Sequence, residues 1–300
     1  MPLMAIRAEA LTKRYGGVAA LDHLDLEVSA GDVVGFLGPN GAGKTTTIRL
    51  LLGLIRPTAG RSEIFGLDCE CQSVEAHRHL AFVAGEANLW PSLTGAETLH
   101  LLGRVQGQVD EVYRDELIER FELDPSKKVR AYSKGNRQKV ILIAALMVRP
   151  DLLVMDEPTS GLDPLMEQAF RHSIGEARDR GQTVFLSSHI MSEVEAVCDR
   201  VGILREGKLI EIGTLAQLRH LSALTVEATF HGAVPDLSAV HGVSAVAIEG
   251  QGVRCQVRGS VEPLLRVLAG ADVSQLLSRE PSLEELFLAQ YGGDDQSGAT

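Results

Sequence analysis

The sequence predicts an α/β protein with a mixed sheet core, a small antiparallel sheet, a helical subdomain and a small C-terminal α+β domain. A glycine-rich loop at 38–45 directly follows the apolar run 33–37, as in a strand that leads through a phosphate-binding loop into a helix. The apolar runs 152–155 and 183–186 are continuous, which is typical of strands covered on both faces. After Gly213 apolar and polar residues alternate, which favours half-buried strands.

The N-terminal part of the chain predicts the antiparallel sheet. Short apolar runs between residues 5 and 37 are separated by turns, among them Tyr15-Gly16-Gly17. A helix is predicted over 45–55, directly behind the glycine-rich loop, and a further strand over 80–83. Strand, loop and helix are therefore expected to form one continuous unit.

The middle of the chain predicts a helical subdomain at about 86–150. Thr94 and Glu97 have the spacing of a capping box, in which each side chain bonds to the other residue's backbone at a helix start. Apolar residues recur at helical spacing over 97–107 and 110–122. We therefore predict that helices are inserted into the sheet domain.

The C-terminal part predicts a second, smaller domain of α+β type. Three strands and one helix are predicted there, at 224–230, 243–248, 253–257 and 261–268 respectively. The predicted domain boundaries are 1–219 for the first domain, 220–292 for the second and 293–300 for a small, polar, disordered tail.

The composition limits the partners that are expected. A net charge of -11 over 300 residues disfavours nucleic acid and anionic membrane surfaces. Cys69 and Cys71, the one close pair among four cysteines, fit neither zinc nor redox spacing, so reduced thiols in a cytosolic protein are expected. The start lacks the apolar stretch of a signal peptide, and no run approaches the roughly 18 to 20 apolar residues that span a bilayer. Any membrane component is therefore expected on another chain.

The glycine-rich loop carries residue types that suit a phosphate site. Its glycines let backbone N–H groups approach phosphate oxygens without a Cβ in the way. Lys44 would reach the β- and γ-phosphates, and the Thr45 hydroxyl would bind the Mg²⁺ that bridges them. A chance glycine-rich turn is the competing interpretation, which the strand and helix in register on either side disfavour. The predicted nucleotide-binding residues of the loop are Gly38, Pro39, Asn40, Gly41, Ala42, Gly43, Lys44, Thr45 and Thr46.

Two acids and a histidine follow the predicted central strands. Asp156 would hold Mg²⁺, and Glu157 would orient or deprotonate the water that attacks the γ-phosphate. His189 would sense the γ-phosphate, although a lone histidine after a strand is more often an ordinary polar residue. Because ligands bind off the carboxyl ends of parallel strands, we expect Asp156, Glu157 and His189 to converge near the phosphate loop, where Glu157, His189 and Lys44 would be the catalytic residues.

The order of these motifs resembles that of the ATP-binding-cassette (ABC) nucleotide-binding domain, a P-loop NTPase, over about residues 5–217. The segment 132–139, by itself a serine-capped helix start, occupies the place of that family's signature. The resemblance implies ATP and Mg²⁺ as cofactors. It also implies a head-to-tail dimer of cassettes, in which Ser133 and Gly135 of one protomer meet the ATP that the other holds.

The resemblance also implies roles for two further residues. Asp163 lies in the position of the family's aspartate loop. Tyr15 matches the aromatic residue that stacks on adenine, whereas a turn tyrosine packed on the sheet is the competing interpretation.

The chain departs from the family pattern in two places. Lys134 and Asn136 replace a glycine and a glutamine of the signature. Gly85 stands where a glutamine usually senses Mg²⁺ and the membrane partner, and Glu86 is the nearest polar substitute. Glu86 would bind Mg²⁺ as an anion, or it is simply a solvated loop residue. We expect a changed coupling step and an active site.

The signature variant and the segment 281–288 look like those of ATPase subunits of ABC-2-type exporters, including drug and antibiotic efflux systems. That resemblance implies a separate membrane permease and a peripheral location at the inner face of the cell membrane. Trp90 would line the groove for the permease, or anchor the core of the helical subdomain. The alternative function is a soluble, non-transport ATPase that is regulatory or acts on ribosomes or DNA. The single cassette and the acidic balance disfavour it, and the transported substrate cannot be read from this chain.

Overall fold

The computed structural model describes residues 3–107, 109–220 and 224–279. The chain divides into two compact units, of which the second begins at Gly213. The strands of the first unit are β1 (Met4–Tyr15), β2 (Val18–Ser29), β3 (Val33–Leu37), β4 (Ala59–Ile64), β5 (Leu67–Asp68), β6 (Leu80–Val83), β7 (Leu152–Asp156), β8 (Thr183–Ser188), β9 (Arg200–Arg205) and β10 (Lys208–Thr214). Strand β10 ends at Thr214, just past the boundary between the units. Its helices are α1 (Lys44–Leu51), α2 (Ser73–Ala76), α3 (Gly95–Gln106), α4 (Glu111–Arg120), α5 (Lys134–Leu146), α6 (Pro164–Asp179) and α7 (Met191–Val197), with a 3-10 turn at Val129–Ala131.

The antiparallel sheet that the N-terminal sequence predicts is confirmed. Its strand order is β2-β1-β4-β5, and β1 pairs antiparallel with both β2 and β4. Buried side chains such as Ile6, Leu24 and Ile64 pack with Val34 and Phe36 of β3 in one hydrophobic core. The sheet therefore supports the strand that leads into the glycine-rich loop.

The core sheet has the strand order β10-β9-β3-β8-β7-β6. The five strands from β9 to β6 are parallel, and β3, β7 and β8 are buried along their whole lengths, as their continuous apolar sequences predict. The register pairs Asp156 with Ser187 and Leu37 with Ser188. The polar residues that follow the central strands therefore meet at one edge of the sheet.

Helix α1 is shorter than predicted. It ends at Leu51 and not near residue 55. Gly53 follows with φ +63, and a Cβ there would lie 2.3 Å from the carbonyl oxygen of Cys69. The chain turns at Gly53 and packs closely against the segment after β5, which ends the helix. The helical periodicity of the sequence continues to about residue 55, beyond this end.

The helical region contains α3, α4 and α5. The predicted capping box of α3 is confirmed: the Thr94 hydroxyl accepts from the N–H of Glu97 at 3.2 Å, and the N–H of Thr94 donates to Glu97 at 2.8 Å. Helix α4 is joined to α6 of the core by Arg120 and Tyr113, which both bond to the Glu176 carboxylate. None of the helices within the described ranges combines the length and apolar character needed to cross a bilayer.

The second unit is of α+β type, as predicted. It begins with α8 (Leu215–His220), and its sheet contains β11 (Leu224–Phe230), β12 (Val243–Glu249), β13 (Gly252–Val257) and β14 (Val273–Arg279), with α9 (Glu262–Ala269). The strand order is β12-β13-β11-β14, and the pairs are antiparallel. Leu264 and Leu268 of α9 pack with Val226 and Phe230 of β11 in its core. Strand β14 was not predicted, and the predicted tail 293–300 and the segment 281–288 lie outside the described residues.

Candidate active site

The glycine-rich loop presents free backbone donors. Gly43 has φ +111, and a Cβ there would lie 2.6 Å from the carbonyl oxygen of Ala20, so glycine is needed at this position. In the part of the chain that the structure describes, several successive N–H groups around the start of α1 make no hydrogen bond, namely those of Asn40, Gly41, Gly43, Lys44 and Thr45. Such a cradle at a helix N-terminus binds anions, and phosphate oxygens fit it.

The Lys44 ammonium is held inside this loop. Its side chain is only 5% exposed, and Nζ donates to the carbonyl oxygens of Gly38 at 2.6 Å and Pro39 at 3.2 Å. Burial lowers the pKa of Lys44, while the carboxylates of Glu157 and Asp156 oppose that shift. The Lys44 ammonium group therefore lies within the phosphate cradle, close to the carboxylates of Glu157 and Asp156.

Glu157 and His189 meet Lys44 at the edge of the sheet. Oε1 of Glu157 lies 3.7 Å from Lys44 Nζ and 3.2 Å from His189 Nδ1. Glu157 has φ +46, a left-handed conformation that is unusual for glutamate, and its N–H donates to the backbone oxygen of Ser187 at 3.1 Å. The strained turn directs the carboxylate toward Lys44 and His189, so the structure brings the three side chains together, and their catalytic roles stay predictions.

Asp156 is a buried carboxylate with few protein partners. Its Oδ1 accepts a 2.6 Å hydrogen bond from the Ser187 hydroxyl. Within the described residues no hydrogen bond or ion pair reaches its other oxygen, Oδ2. A buried carboxylate is costly without positive charge nearby, and Lys44 supplies part of that charge through space while its Nζ donates to loop carbonyls, so a metal ion at Oδ2 would stabilise Asp156 further.

Asp156 and Thr45 both line an open cleft of about 590 Å³, which we call the polar cleft; Gly85, Glu86, Lys134 and Glu157 also line it. A carboxylate and a hydroxyl are hard oxygen donors, so this pair fits Mg²⁺. Among the described residues no group of three or more His, Cys, Asp or Glu side chains could hold a metal by itself. Mg²⁺ commonly takes only one or two protein ligands and completes its shell with phosphate oxygens and water, so the sparse set is adequate.

Three of the four residues that depart from the family pattern, Gly85, Glu86 and Lys134, line the polar cleft, whereas Asn136 does not. Glu86 is exposed there, on the segment that follows β6. A Cβ on Gly85 would lie 3.1 Å from the carbonyl oxygen of Asp156, a tight contact that a side chain at this position would have to relieve. Lys134 donates from Nζ to the Ser160 hydroxyl at 3.0 Å and is thereby tied to the turn after β7.

The other predicted nucleotide-binding residues do not line the polar cleft. Ser133 is exposed and caps α5, and Asp163 is exposed and caps α6 by accepting from the N–H groups of Leu165 and Met166. Gly135 packs against the turn after β7, since a Cβ on it would lie 2.5 Å from the carbonyl oxygen of Gly161. Their roles at a nucleotide stay predictions.

Tyr15 and Trp90 are both exposed. Tyr15 is 50% exposed, and Lys13 Nζ lies 5.1 Å from its ring centroid. Stacking of Tyr15 on adenine stays a prediction. Trp90 is 52% exposed, so the interpretation of Trp90 as an anchor of the helical core is wrong.

The sequence analysis missed two residues near the site. Gln138 of α5 is buried and donates from Nε2 to the carbonyl oxygen of Pro158 at 3.0 Å, which ties that helix to the segment after β7. Ser187 is fully buried and bonds to both acidic residues. A hydroxyl or amide in an otherwise apolar buried segment was the available signal in both cases.

Comparisons with known proteins agree with this geometry. The family model described as "ABC transporter" matches residues 21–160. The bacitracin transport ATP-binding protein BcrA of Bacillus licheniformis is 36% identical, over 96% of this chain and 97% of that protein. The daunorubicin resistance ATP-binding protein DrrA3 of Streptomyces coeruleorubidus is 35% identical, over 97% of this chain and 96% of that protein.

The chain belongs to the ABC transporter family. A solved ATP-binding subunit of an ABC transporter is 31% identical, with a TM-score of 0.68, and covers 72% of this chain and 92% of its own. The predicted resemblance, and with it the P-loop α/β fold, is therefore confirmed. Within the family this chain is an ATP-binding subunit with ATPase activity, of the kind that powers export.

Proposed function

We propose that this chain hydrolyses ATP at the cluster of Lys44, Glu157 and His189 in order to drive a separate membrane permease that exports a drug or antibiotic-like small molecule. The observation that carries the proposal is the convergence of these three side chains beside a cradle of free N–H groups. The relatives named for bacitracin transport and daunorubicin resistance, which match over nearly the whole chain, support this class of cargo. The protein would then work at the inner face of the cell membrane, on the cytoplasmic side.

Each residue of the cluster has its own role in the proposed reaction. The loop N–H groups hold the phosphates of ATP, and Lys44 balances charge on the β- and γ-phosphates. Glu157 accepts hydrogen bonds from the attacking water and takes its proton as the new P–O bond forms and the bond to the β-phosphate oxygen breaks. His189 follows the neighbouring strand, with Nδ1 3.2 Å from Glu157 Oε1, and senses the γ-phosphate in this proposal.

Asp156 and Thr45 are the residues that would hold Mg²⁺, and Glu86 lies in the same cleft as a further candidate ligand. Bound Mg²⁺ supplies positive charge that stabilises the phosphate oxygens during displacement. ADP and inorganic phosphate are the products.

A second cassette completes the site in this proposal. Ser133, the N-cap of α5, is exposed and does not line the polar cleft, so it is free to meet ATP held by another copy. Gly135, Asp163 and Tyr15 take the roles that the family resemblance implies. The proposed assembly is a pair of these chains below the permease, without nucleic acid.

The test is affinity purification of the tagged full-length chain from membranes in mild detergent, followed by identification of what is bound and an ATPase assay with and without it. Recovery of a polytopic permease that stimulates turnover supports the proposal. The Glu157→Gln variant is the control, because it should bring down the same permease without turnover. A fully active protein with no membrane partner would instead favour a soluble, non-transport ATPase.

A further inference from the structure

Ser187 is a buried hydroxyl at the end of β8. The three residues before it, Val184, Phe185 and Leu186, are apolar and buried, and Ser187 itself is 0% exposed. The strand register sets Ser187 directly opposite Asp156 of β7. A buried hydroxyl is costly unless it is hydrogen-bonded, so its partners show what it does.

The Ser187 hydroxyl contacts both members of the acid pair. It donates to Asp156 Oδ1 at 2.6 Å, a short distance typical of a hydrogen bond to a charged oxygen. It also accepts from the N–H of Glu157 at 3.2 Å. Because a hydroxyl has one proton, donation to Asp156 fixes its orientation and leaves a lone pair for Glu157.

We propose that Ser187 is a positioning residue that fixes one oxygen of Asp156, Oδ1, and so presents the other oxygen, Oδ2, to the metal ion of the nucleotide. This inference rests on the proposed Mg²⁺ site. The Asp156 carboxylate accepts no other hydrogen bond within the described residues, so Ser187 is the group there that fixes which oxygen is engaged. Thr45 lies across the same cleft as the second candidate ligand.

The proposal separates metal affinity from the chemical step. Without the Ser187 hydroxyl, Asp156 loses its orienting bond, and loss of such a bond to a metal ligand typically weakens metal binding by about 10- to 100-fold. The N–H of Glu157 keeps its bond to the backbone oxygen of Ser187, which no side-chain substitution removes. The Mg²⁺ concentration needed for half-maximal turnover should therefore rise more than kcat at saturating Mg²⁺ falls.

Ser188 provides a matched control. It is the next residue on β8, also a buried serine, at 2% exposure. Its hydroxyl donates to Glu193 Oε2 at 2.9 Å and accepts from the N–H of Ile190 at 2.9 Å. These are not residues of the proposed metal site, and the hydroxyl bonds to neither Asp156 nor Glu157. Ser188→Ala removes an equally buried hydroxyl from the same strand without touching Asp156.

The experiment uses the full chain in a Glu157→Gln background, so that no ATP is consumed. Binding of a fluorescent ATP analogue is titrated first in EDTA and then against Mg²⁺, and the melting temperature of each variant verifies folding. Ser187→Ala should leave the affinity in EDTA unchanged and raise the Mg²⁺ concentration for half-maximal metal-dependent binding by about 10-fold or more. Ser187→Thr, which keeps a hydroxyl, should restore most of the Mg²⁺ affinity, and Ser188→Ala should match the background.

Two results would overturn the inference about Ser187 but not the proposed metal site. The first is a Ser187→Ala variant whose Mg²⁺ titration matches the background. The second is a Ser188→Ala variant that weakens Mg²⁺ binding as much as Ser187→Ala does, because the effect would then come from strand packing. If the background variant itself shows no Mg²⁺-dependent binding, the proposed metal site fails, and the inference fails with it. The background titration therefore distinguishes the two failures.

Discussion

Two glutamates in the first unit have equally exposed side chains but differ in how closely their partners bind the carboxylate. The side chains of Glu157 and Glu176 are both 29% exposed. Glu176 accepts hydrogen bonds from Nη1 and Nη2 of Arg120 and from the Tyr113 hydroxyl, all at 2.8 Å. Glu157 has longer contacts, 3.2 Å to His189 and 3.7 Å to Lys44, and a strained backbone.

The difference separates a structural carboxylate from a reactive one. Hydrogen bonds from Arg120 lower the pKa of Glu176 to about 2, so its charge is satisfied and joins α4 to α6. Glu157 has lone pairs left for a water molecule, which a base must have before it can take a proton. The first arrangement should contribute to stability and the second to turnover, and the predictions below test that division.

The largest effect is expected for Lys44→Ala. The variant removes the buried ammonium group from the phosphate cradle, so ATP turnover should fall by roughly 10³- to 10⁵-fold. A fluorescent nucleotide titration and a phosphate-release assay measure it, and an unchanged melting temperature is the control for folding. Wild-type turnover would contradict the assignment of the loop.

Glu157→Gln should lower turnover by roughly 10²- to 10⁴-fold while ATP binding is retained. The amide keeps the shape of the side chain and cannot take the proton. In the presence of ATP and Mg²⁺ the variant should accumulate as a closed dimer, which light scattering detects. A monomer at saturating ATP would argue against the two-cassette site.

Glu176→Gln should affect stability and spare turnover. It weakens the pair with Arg120, so the free energy of unfolding in urea should fall by about 1–3 kcal/mol at about pH 7. Because folding depresses the pKa of Glu176 from 4.5 to about 2, its contribution is fully present above 4.5 and is lost as the pH falls toward 2. The two proteins should therefore converge in stability over that range.

Glu111→Gln is the matched control for that prediction. Glu111 lies on α4, the helix that carries Arg120, but its side chain is 79% exposed and lies 3.9 Å from Arg114. A change within about 0.5 kcal/mol is expected for it. If Glu176→Gln instead lowered turnover as much as Glu157→Gln does, the division between the two glutamates would be wrong.

The smallest effect is expected for Gly85→Gln. An amide in the polar cleft should change the permease-stimulated turnover by a few-fold, or about 1 kcal/mol, and the basal turnover less. The new Cβ also presses on the carbonyl oxygen of Asp156, so Gly85→Ala, which adds the same Cβ alone, is the control. Equal changes in basal and stimulated turnover would make residues 85 and 86 an ordinary loop.

Local signals predicted much of the fold. The capping box at Thr94, the continuous apolar runs that became β7 and β8, and the alternating runs of the second unit are each set by neighbouring residues. The end of α1 was not predictable in that way, because Gly53 packs against the backbone of Cys69, which lies in the segment after β5. Strand β14 was missed because its pairing with β11 joins distant parts of the sequence.

The sequence by itself determined the strand, loop and helix around Lys44 and the polar residues at the strand ends, because residue type and spacing fix those features locally. Only the tertiary structure decided the partners of each charge. The bond from Ser187 to Asp156 spans 31 positions, and that from Arg120 to Glu176 spans 56. Such contacts depend on strand register and helix packing, so the local sequence singled out Glu157 by its place after a strand but did not reveal the partners that satisfy Glu176.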